Sequence, residues 1–102
     1  MNFEQIVDEV RALATNLIDL NHTVLFDLGD EGKVLIDATG DEVVVTANPN
    51  DDEAETTLVL SSENAQKLVN GELSPMVAFT MGKLKIFGSK GIALKLSALL
   101  DE

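Results

Sequence analysis

Cysteine is absent from this 102-residue chain, which excludes disulfides, thiolate metal ligands and cysteine nucleophiles. Aromatic side chains are scarce, with four Phe and neither Trp nor Tyr, so aliphatic residues must fill the interior. No apolar run approaches the ~20 residues of a membrane-spanning helix, and the acidic, amphipathic N-terminus is not typical of a secretory signal. We therefore expect a cytoplasmic protein folded as a single domain over residues 1–102.

Acidic residues are absent from residues 73–100, although the formal net charge of the chain is −11. Residues 1–72 contain sixteen acids and three bases, a net charge of −13. The C-terminal quarter instead contains four lysines: Lys83, Lys85, Lys90 and Lys95. The overall acidity argues against nucleic acid as a partner, because its phosphates would repel the protein. The last quarter is a basic segment in an acidic protein.

An amphipathic helix is predicted over residues 3–20, where apolar residues recur at spacings of three and four. Its apolar face comprises Phe3, Ile6, Val7, Val10, Leu13, Ala14, Leu17 and Ile18. Acidic and polar residues occupy the opposite face. We expect the apolar face to pack on the sheet of the same chain.

Alternating apolar residues and β-branched runs predict five strands. They cover Thr23–Leu28, Lys33–Ala38, Glu42–Ala47, Thr56–Leu60 and Lys83–Phe87. The connections between the first three are short and contain glycine, as antiparallel hairpins require. The first three strands should therefore form a meander.

Three helices are predicted in the second half. Ser61 or Ser62 is a suitable N-cap for a helix that ends at Val69. Ser74-Pro75 supplies a cap and a first-turn proline for a short helix, and a final helix covers Gly88–Leu100.

The final helix is apolar on two sides. One sector of its surface contains Ile92, Leu96, Leu99 and Leu100, whereas Leu94 and Ala98 lie nearly opposite. A helix with two apolar sides needs two apolar neighbours. The sheet is one of them, and the other is a ligand, a partner protein or a second layer of this chain.

Motifs for catalysis or metal binding are weak. His22 is the sole histidine, and no second ligand or nucleophile is arranged around it in the sequence. Asn48, Asn50 and Asp52 are spaced like the start of a calcium loop, but Glu53 replaces the required glycine. A solvated acidic turn is the better interpretation. We predict no catalytic residues, no metal site and no cofactor.

The segment Gly71–Gly88, with the sequence GELSPMVAFTMGKLKIFG, continues through Ala93–Leu96 and resembles the sterol carrier protein type 2 family. That family shows a Gly-x-x-x-Pro turn, a short helix, a Gly-Lys-[Leu/Ile]-x-[Ile/Val]-x-Gly strand and a closing helix with Lys-Leu. The resemblance implies an α+β fold with a five-stranded sheet and helices that cover an apolar tunnel. It also implies non-enzymatic binding and transfer of a fatty acid, a fatty acyl-CoA, a sterol or a similar lipid.

Nine apolar residues are predicted to line this tunnel: Phe26, Met76, Phe79, Met81, Phe87, Ile92, Leu94, Leu96 and Leu99. Met and Phe side chains adapt well to irregular apolar ligands. Lys90, Lys83 and Lys85 are candidates for contact with an anionic head group, because they are among the few local cations.

The expected partner is a lipid or another long apolar molecule, and transient contact with a membrane or a lipid-handling enzyme is left open, as is the oligomeric state. One alternative is a substrate-presenting or regulatory module that binds a protein through the C-terminal helix. Another is a hydrolase or isomerase that acts on lipids.

Overall fold

A five-stranded mixed sheet with helices packed on one face forms the core of the computed structural model, which describes residues 2–100. Its strands are β1 Thr23–Asp27, β2 Lys33–Asp37, β3 Val44–Ala47, β4 Thr56–Leu60 and β5 Leu84–Gly88. Their order in the sheet is β3-β2-β1-β4-β5. Strands β1 and β4 are parallel, and the other neighbours are antiparallel. This arrangement confirms the α+β class and the predicted meander.

The register of the central strands gathers the largest apolar side chains on the face covered by helices. Val24 lies opposite Ile36, and Phe26 lies opposite both Val34 and Leu58. All five side chains are at most 4% exposed. Because side chains alternate between the two faces of a strand, a shift of one residue would turn this whole set towards solvent.

The strand boundaries differ slightly from the predictions. Strands β1 and β2 each end one residue earlier than predicted, and β3 begins at Val44 rather than at Glu42, because residues 39–43 form the turn from β2. Strand β5 lies one residue later than predicted. The β1–β2 connection requires glycine at position 32, because its φ is +138° and a Cβ there would lie 2.7 Å from the Phe3 ring.

Helix α1 covers Phe3–Ala12 and begins with a reciprocal cap. The Asn2 side chain accepts from the Gln5 N–H, and the Gln5 side chain accepts from the Asn2 N–H, both at 2.9 Å. This is the capping-box arrangement, which satisfies two N-terminal donors at once. The apolar face of α1 packs inward through Ile6, Val7 and Val10.

The prediction of one continuous helix over residues 3–20 is wrong. Residues Ala14–Leu20 form a 3₁₀ segment, in which the Asn16 N–H donates to the Leu13 carbonyl three residues earlier. The tighter 3₁₀ turn directs Leu17 and Leu20 into the core. Ile18, predicted on the buried face, is instead 37% exposed.

Three further helices are α2 Ser62–Val69, α3 Pro75–Thr80 and α4 Lys90–Leu100. The hydroxyls of Ser61 and Ser74 accept from N–H groups in the first turns of α2 and α3, which confirms both predicted caps. Helix α4 begins two residues later than predicted, because Gly88 is the last residue of β5. Within residues 2–100, no helix is both long and apolar enough to cross a bilayer.

Candidate functional site

A small apolar void lies between the helices and the sheet. Nine side chains line it: Val10, Leu13, Leu17, Phe26, Ile36, Leu68, Val69, Leu96 and Leu100. They come from α1, the residues that follow it, β1, β2, α2 and α4. The volume is only about 10 Å³, close to that of a single water-sized sphere. This space cannot hold an acyl chain unless it expands, so the predicted tunnel is not open at this position.

Helix α4 closes one side of the void. Ile92, Ala93, Leu96 and Leu99 are at most 9% exposed on its inner side. The helix packs against the 3₁₀ segment, α3, β4 and β5. Its other side carries Leu94 and Ala98, which are exposed. No second layer formed by residues 2–100 therefore covers the outer apolar side of α4.

A hydrogen bond from β4 attaches the N-terminal end of α4 to the sheet. The Thr56 hydroxyl, on β4, donates to the Ser89 carbonyl at 3.0 Å. The Ser89 hydroxyl accepts from the Ile92 N–H at 3.2 Å and so satisfies one donor of the first turn. At the other end of α4, Leu96 and the half-buried Leu100 contact the void.

Four of the nine predicted tunnel residues are buried inside the protein. They are Phe26, Ile92, Leu96 and Leu99. Phe26 and Leu96 line the void directly. These four residues therefore belong to the apolar layer between the sheet and α4.

The other five predicted tunnel residues lie nearer the surface. Met76 and Phe79 of α3 are half-buried, whereas Met81, Phe87 and Leu94 are 57–58% exposed. The side chain of Phe87 points away from the helices, because its neighbour Ile86 pairs with the inward-facing Leu58. In this geometry Phe87 cannot line a space between the sheet and the helices. Met81 and Leu94 also face solvent rather than the interior.

The three candidate head-group lysines are all exposed. The Lys90 ammonium lies 5.2 Å from the centre of the Phe79 ring, a cation–π contact between α4 and α3. Lys83 precedes β5 instead of forming its first residue, and Lys85 shares the outer face of the sheet with Phe87. A helix rises about 1.5 Å per residue, so Lys90 lies about 15 Å along α4 from Leu100.

Seven of the residues that line the void were not predicted as tunnel residues. They are Val10, Leu13, Leu17, Ile36, Leu68, Val69 and Leu100. The apolar spacing of two helical segments and the alternation in β2 identified most of them, but only as residues of the hydrophobic core. Nothing local in the sequence indicates that these elements meet at one space.

His22 has a partner that sequence reasoning missed. Its Nδ1 lies 3.1 Å from the Glu55 carboxylate, which also accepts from the Thr23 N–H at 2.9 Å. Two hydrogen bonds lower the pKa of Glu55: the one from the Thr23 N–H contributes most, and the one from His22 contributes next. The Thr23 hydroxyl in turn accepts from the Glu55 N–H at 2.9 Å. These bonds fasten the start of β1 to the start of β4.

Two residues of the acidic loop that are spaced like calcium ligands, Asn48 and Asp52, bond instead to Lys33. The Asn48 side-chain oxygen accepts from the Lys33 N–H at 3.0 Å, and Asp52 accepts from the Lys33 ammonium at 2.7 Å. The bond from Lys33 and the attraction of its charge lower the pKa of Asp52. This geometry is that of a solvated turn fastened to β2.

One family model matches nearly the whole chain. The model of the SCP-2 sterol transfer family matches residues 3–101. Sterol carrier protein 2 of Gallus gallus is 34% identical over 71 residues, which are 70% of this chain and 13% of that protein. The chain thus corresponds to only a small part of the length of this curated relative.

Two solved structures show the same fold over nearly the whole chain. The sterol carrier protein domain 2 of Helicoverpa armigera superposes with a TM-score of 0.74 and 29% identity, covering 96% of this chain and 84% of that one. Sterol carrier protein 2 of Yarrowia lipolytica, in its apo form, gives a TM-score of 0.68 and 25% identity, covering 96% of this chain and 85% of that one.

Proposed function

We infer from the family to which this chain belongs, the SCP-2 sterol transfer family, that it is a non-enzymatic carrier of one long apolar molecule. A fatty acid, a fatty acyl-CoA or a sterol fits this class. The observation that supports the proposal is the void behind α4, because its lining is wholly apolar. Apolar lining with few polar groups is typical of sites for lipophilic ligands.

The ligand enters by displacing the C-terminal half of α4 from the 3₁₀ segment. The other end of α4 stays attached through the Thr56–Ser89 hydrogen bond, so this end acts as the pivot. Movement of Leu96 and Leu100 away from the 3₁₀ segment enlarges the void along the inner side of α4. The apolar chain of the ligand then replaces the contacts that these side chains lose.

The energetics of this exchange favour reversible carriage. Each buried CH₂ group contributes about 0.8 kcal/mol, so a chain of about 16 carbons gains about 12 kcal/mol at most. Association entropy of about 4–15 kcal/mol opposes this gain, and α4 must also give up part of its own packing. The net gain is therefore about 8 kcal/mol at most, which corresponds to micromolar affinity and is weak enough to permit release.

Lys90 is the best-placed residue to bind an anionic head group. It lies at the pivot end of α4, so a chain aligned along the helix would run from its carboxylate near Lys90 towards Leu100. Lys90→Gln should weaken a fatty acid about two- to tenfold at low salt and leave its methyl ester unaffected. Lys95→Gln, on another side of the same helix, is the matched control. Equal effects of the two substitutions would show that Lys90 does not bind the head group specifically.

Titration with a fluorescent long-chain fatty acid tests the proposed function. We expect saturable binding of one ligand per chain at micromolar concentration. Leu100→Gln places a polar group at the void and should weaken binding about tenfold, about 1.4 kcal/mol. Ala98→Gln, on the exposed side of α4, should not change the affinity. Flat titrations for several chain lengths and for sterols would overturn the carrier proposal.

A further inference from the structure

A surface groove lies between the 3₁₀ segment and the turn that joins β2 to β3. Its volume is about 350 Å³, which is at the lower end of the range typical of binding sites. Most of its lining is either apolar or acidic, and no cation is part of it. The residues that line it are Ala14, Thr15, Ile18, Asp41, Glu42 and Val43. This space is called the Ile18 groove.

The 3₁₀ conformation turns Ile18 towards this groove. Residues three apart lie on the same side of a 3₁₀ helix, so Leu17 and Leu20 point into the core, whereas Thr15 and Ile18 point outwards. Ile18 is 37% exposed, and Val43 on the opposite wall is half-buried. One apolar side chain placed in the groove would therefore cover both Ile18 and Val43.

Asp41 and Glu42 supply the charge of the groove. Both side chains are exposed, and neither forms an ion pair with any residue between positions 2 and 100. The turn that carries them is held at its start, where the Asp37 carboxylate accepts from the Thr39 N–H at 2.9 Å. Two carboxylates without a cationic partner therefore lie beside an exposed apolar side chain.

Two other surface grooves lack this combination. The groove at Glu55 contains no large apolar side chain, and Glu55 is already bonded to His22. The groove along α1 is lined by two acids and two large apolar residues, but Arg11 lines it as well and supplies a cation from the same chain. These grooves are therefore less suited to a partner that is both apolar and cationic.

The composition of the Ile18 groove defines the chemistry of its partner. An apolar side chain fits between Ile18 and Val43, and a neighbouring Lys or Arg can bind the two carboxylates, Arg with both of its parallel N–H groups. The net charge of −11 adds a long-range attraction for a basic protein. We propose that the Ile18 groove binds a basic segment of another protein through this pair of contacts.

Fluorescence anisotropy with three short labelled peptides tests this proposal. The first peptide is composed of Leu and Lys, the second of Ser and Lys, and the third of Leu and Glu. We expect the Leu–Lys peptide to bind, and to bind more weakly as the salt concentration rises. The Ser–Lys peptide should bind at least about fivefold more weakly, because it makes no apolar contact, and the Leu–Glu peptide should not bind. Equal binding of both Lys peptides, or no binding of the Leu–Lys peptide, would overturn the proposal.

A matched pair of double variants locates the charged contact. Asp41→Asn combined with Glu42→Gln should weaken binding of the Leu–Lys peptide about tenfold. Asp30→Asn combined with Glu31→Gln removes the same charge from the exposed turn at the other end of β2. This control should change the affinity by less than about twofold, because screening limits the reach of exposed charges. Equal effects of the two double variants would contradict binding in the Ile18 groove.

A second pair of variants locates the apolar contact. Ile18→Gln should weaken binding of the Leu–Lys peptide about tenfold, because the partner no longer buries the exposed part of Ile18. Val77→Gln changes an exposed apolar residue of α3 and should leave the affinity unchanged. Circular dichroism checks that both variants are folded. Equal effects of these two substitutions would also contradict binding in this groove.

The outcome is separable from that of the carrier proposal. No residue of the Ile18 groove lines the void, so the double variant of Asp41 and Glu42 should retain the wild-type affinity for a fluorescent fatty acid. A protein that binds the fatty acid but not the Leu–Lys peptide overturns only the groove proposal. A protein that binds the peptide with these residue preferences supports the groove proposal even if it binds no fatty acid. Dimerisation that Ile18→Gln abolishes, without peptide binding, would assign the groove to a second copy and overturn the proposal.

Discussion

Leu96→Ala and Leu94→Ala differ only in the side of α4 that they change. Leu96 is fully buried and lines the void, whereas Leu94 is 57% exposed. Removing about three carbons from Leu96 costs about 2.4 kcal/mol in transfer free energy, and the space left behind adds about 24 cal/mol per Å³. This space would merge with the existing void, so we expect the free energy of unfolding to fall by about 3 kcal/mol. Leu94→Ala should change it by less than about 0.5 kcal/mol.

Urea unfolding followed by far-ultraviolet circular dichroism measures this difference, because the chain has neither Trp nor Tyr to report by fluorescence. With a slope of about 1.5 kcal/mol per molar urea, the midpoint of Leu96→Ala should fall by about 2 M. The midpoint of Leu94→Ala should match that of the wild type. A loss below about 1 kcal/mol for Leu96→Ala, or an equal loss for Leu94→Ala, would refute the docking of α4 through its Leu96 side.

Four further substitutions test the connections around β1, β4 and β5. The lowered pKa of Glu55 means that its carboxylate stabilises the fold above the unfolded-state value near 4.5 and loses this effect as pH falls towards the lower folded-state value. Urea midpoints below about pH 4.5 should therefore fall more steeply in the wild type than in Glu55→Gln. Gly88→Ala should cost about 2 kcal/mol or more, because φ is +105° and the Cβ would overlap the Glu55 carbonyl oxygen. Gly82→Ala, with φ of +75° in open space, should cost about 1 kcal/mol in the same urea assay. His22→Ala should keep the affinity for a fluorescent fatty acid within about twofold, because His22 does not line the void; a tenfold loss would reopen the enzyme hypothesis.

Local signals in the sequence predicted the fold well where structure is decided locally. The caps at Ser61 and Ser74 were predicted because a serine before a helical pattern acts within its own turn. The change from α1 to the 3₁₀ segment was missed, because apolar residues spaced by three and four fit both kinds of helix. The choice between the two depends on how Leu17 and Leu20 pack in the core, which is not a local property.

The candidate site was predicted less completely, because it depends on contacts between distant parts of the chain. Periodicity showed that α4 is apolar on two sides, but it could not show that Leu96 is buried and Leu94 exposed. The face on which Phe87 lies depends on the pairing of Ile86 with Leu58. Similarly, the lining of the void comes from elements at both ends of the sequence and in its middle.

Nuclear Overhauser effects between the ligand and isotope-labelled methyl groups test most directly whether the space behind α4 opens to hold a lipid chain. The Leu and Val methyl groups would be labelled and an unlabelled long-chain fatty acid added to saturation. We expect contacts from the acyl chain to the methyl groups of Leu17, Leu68 and Leu96, and none to those of Leu94. Contacts confined to the exposed side chains of Leu94 and Val77, or no contacts at saturation, would contradict carriage in the interior.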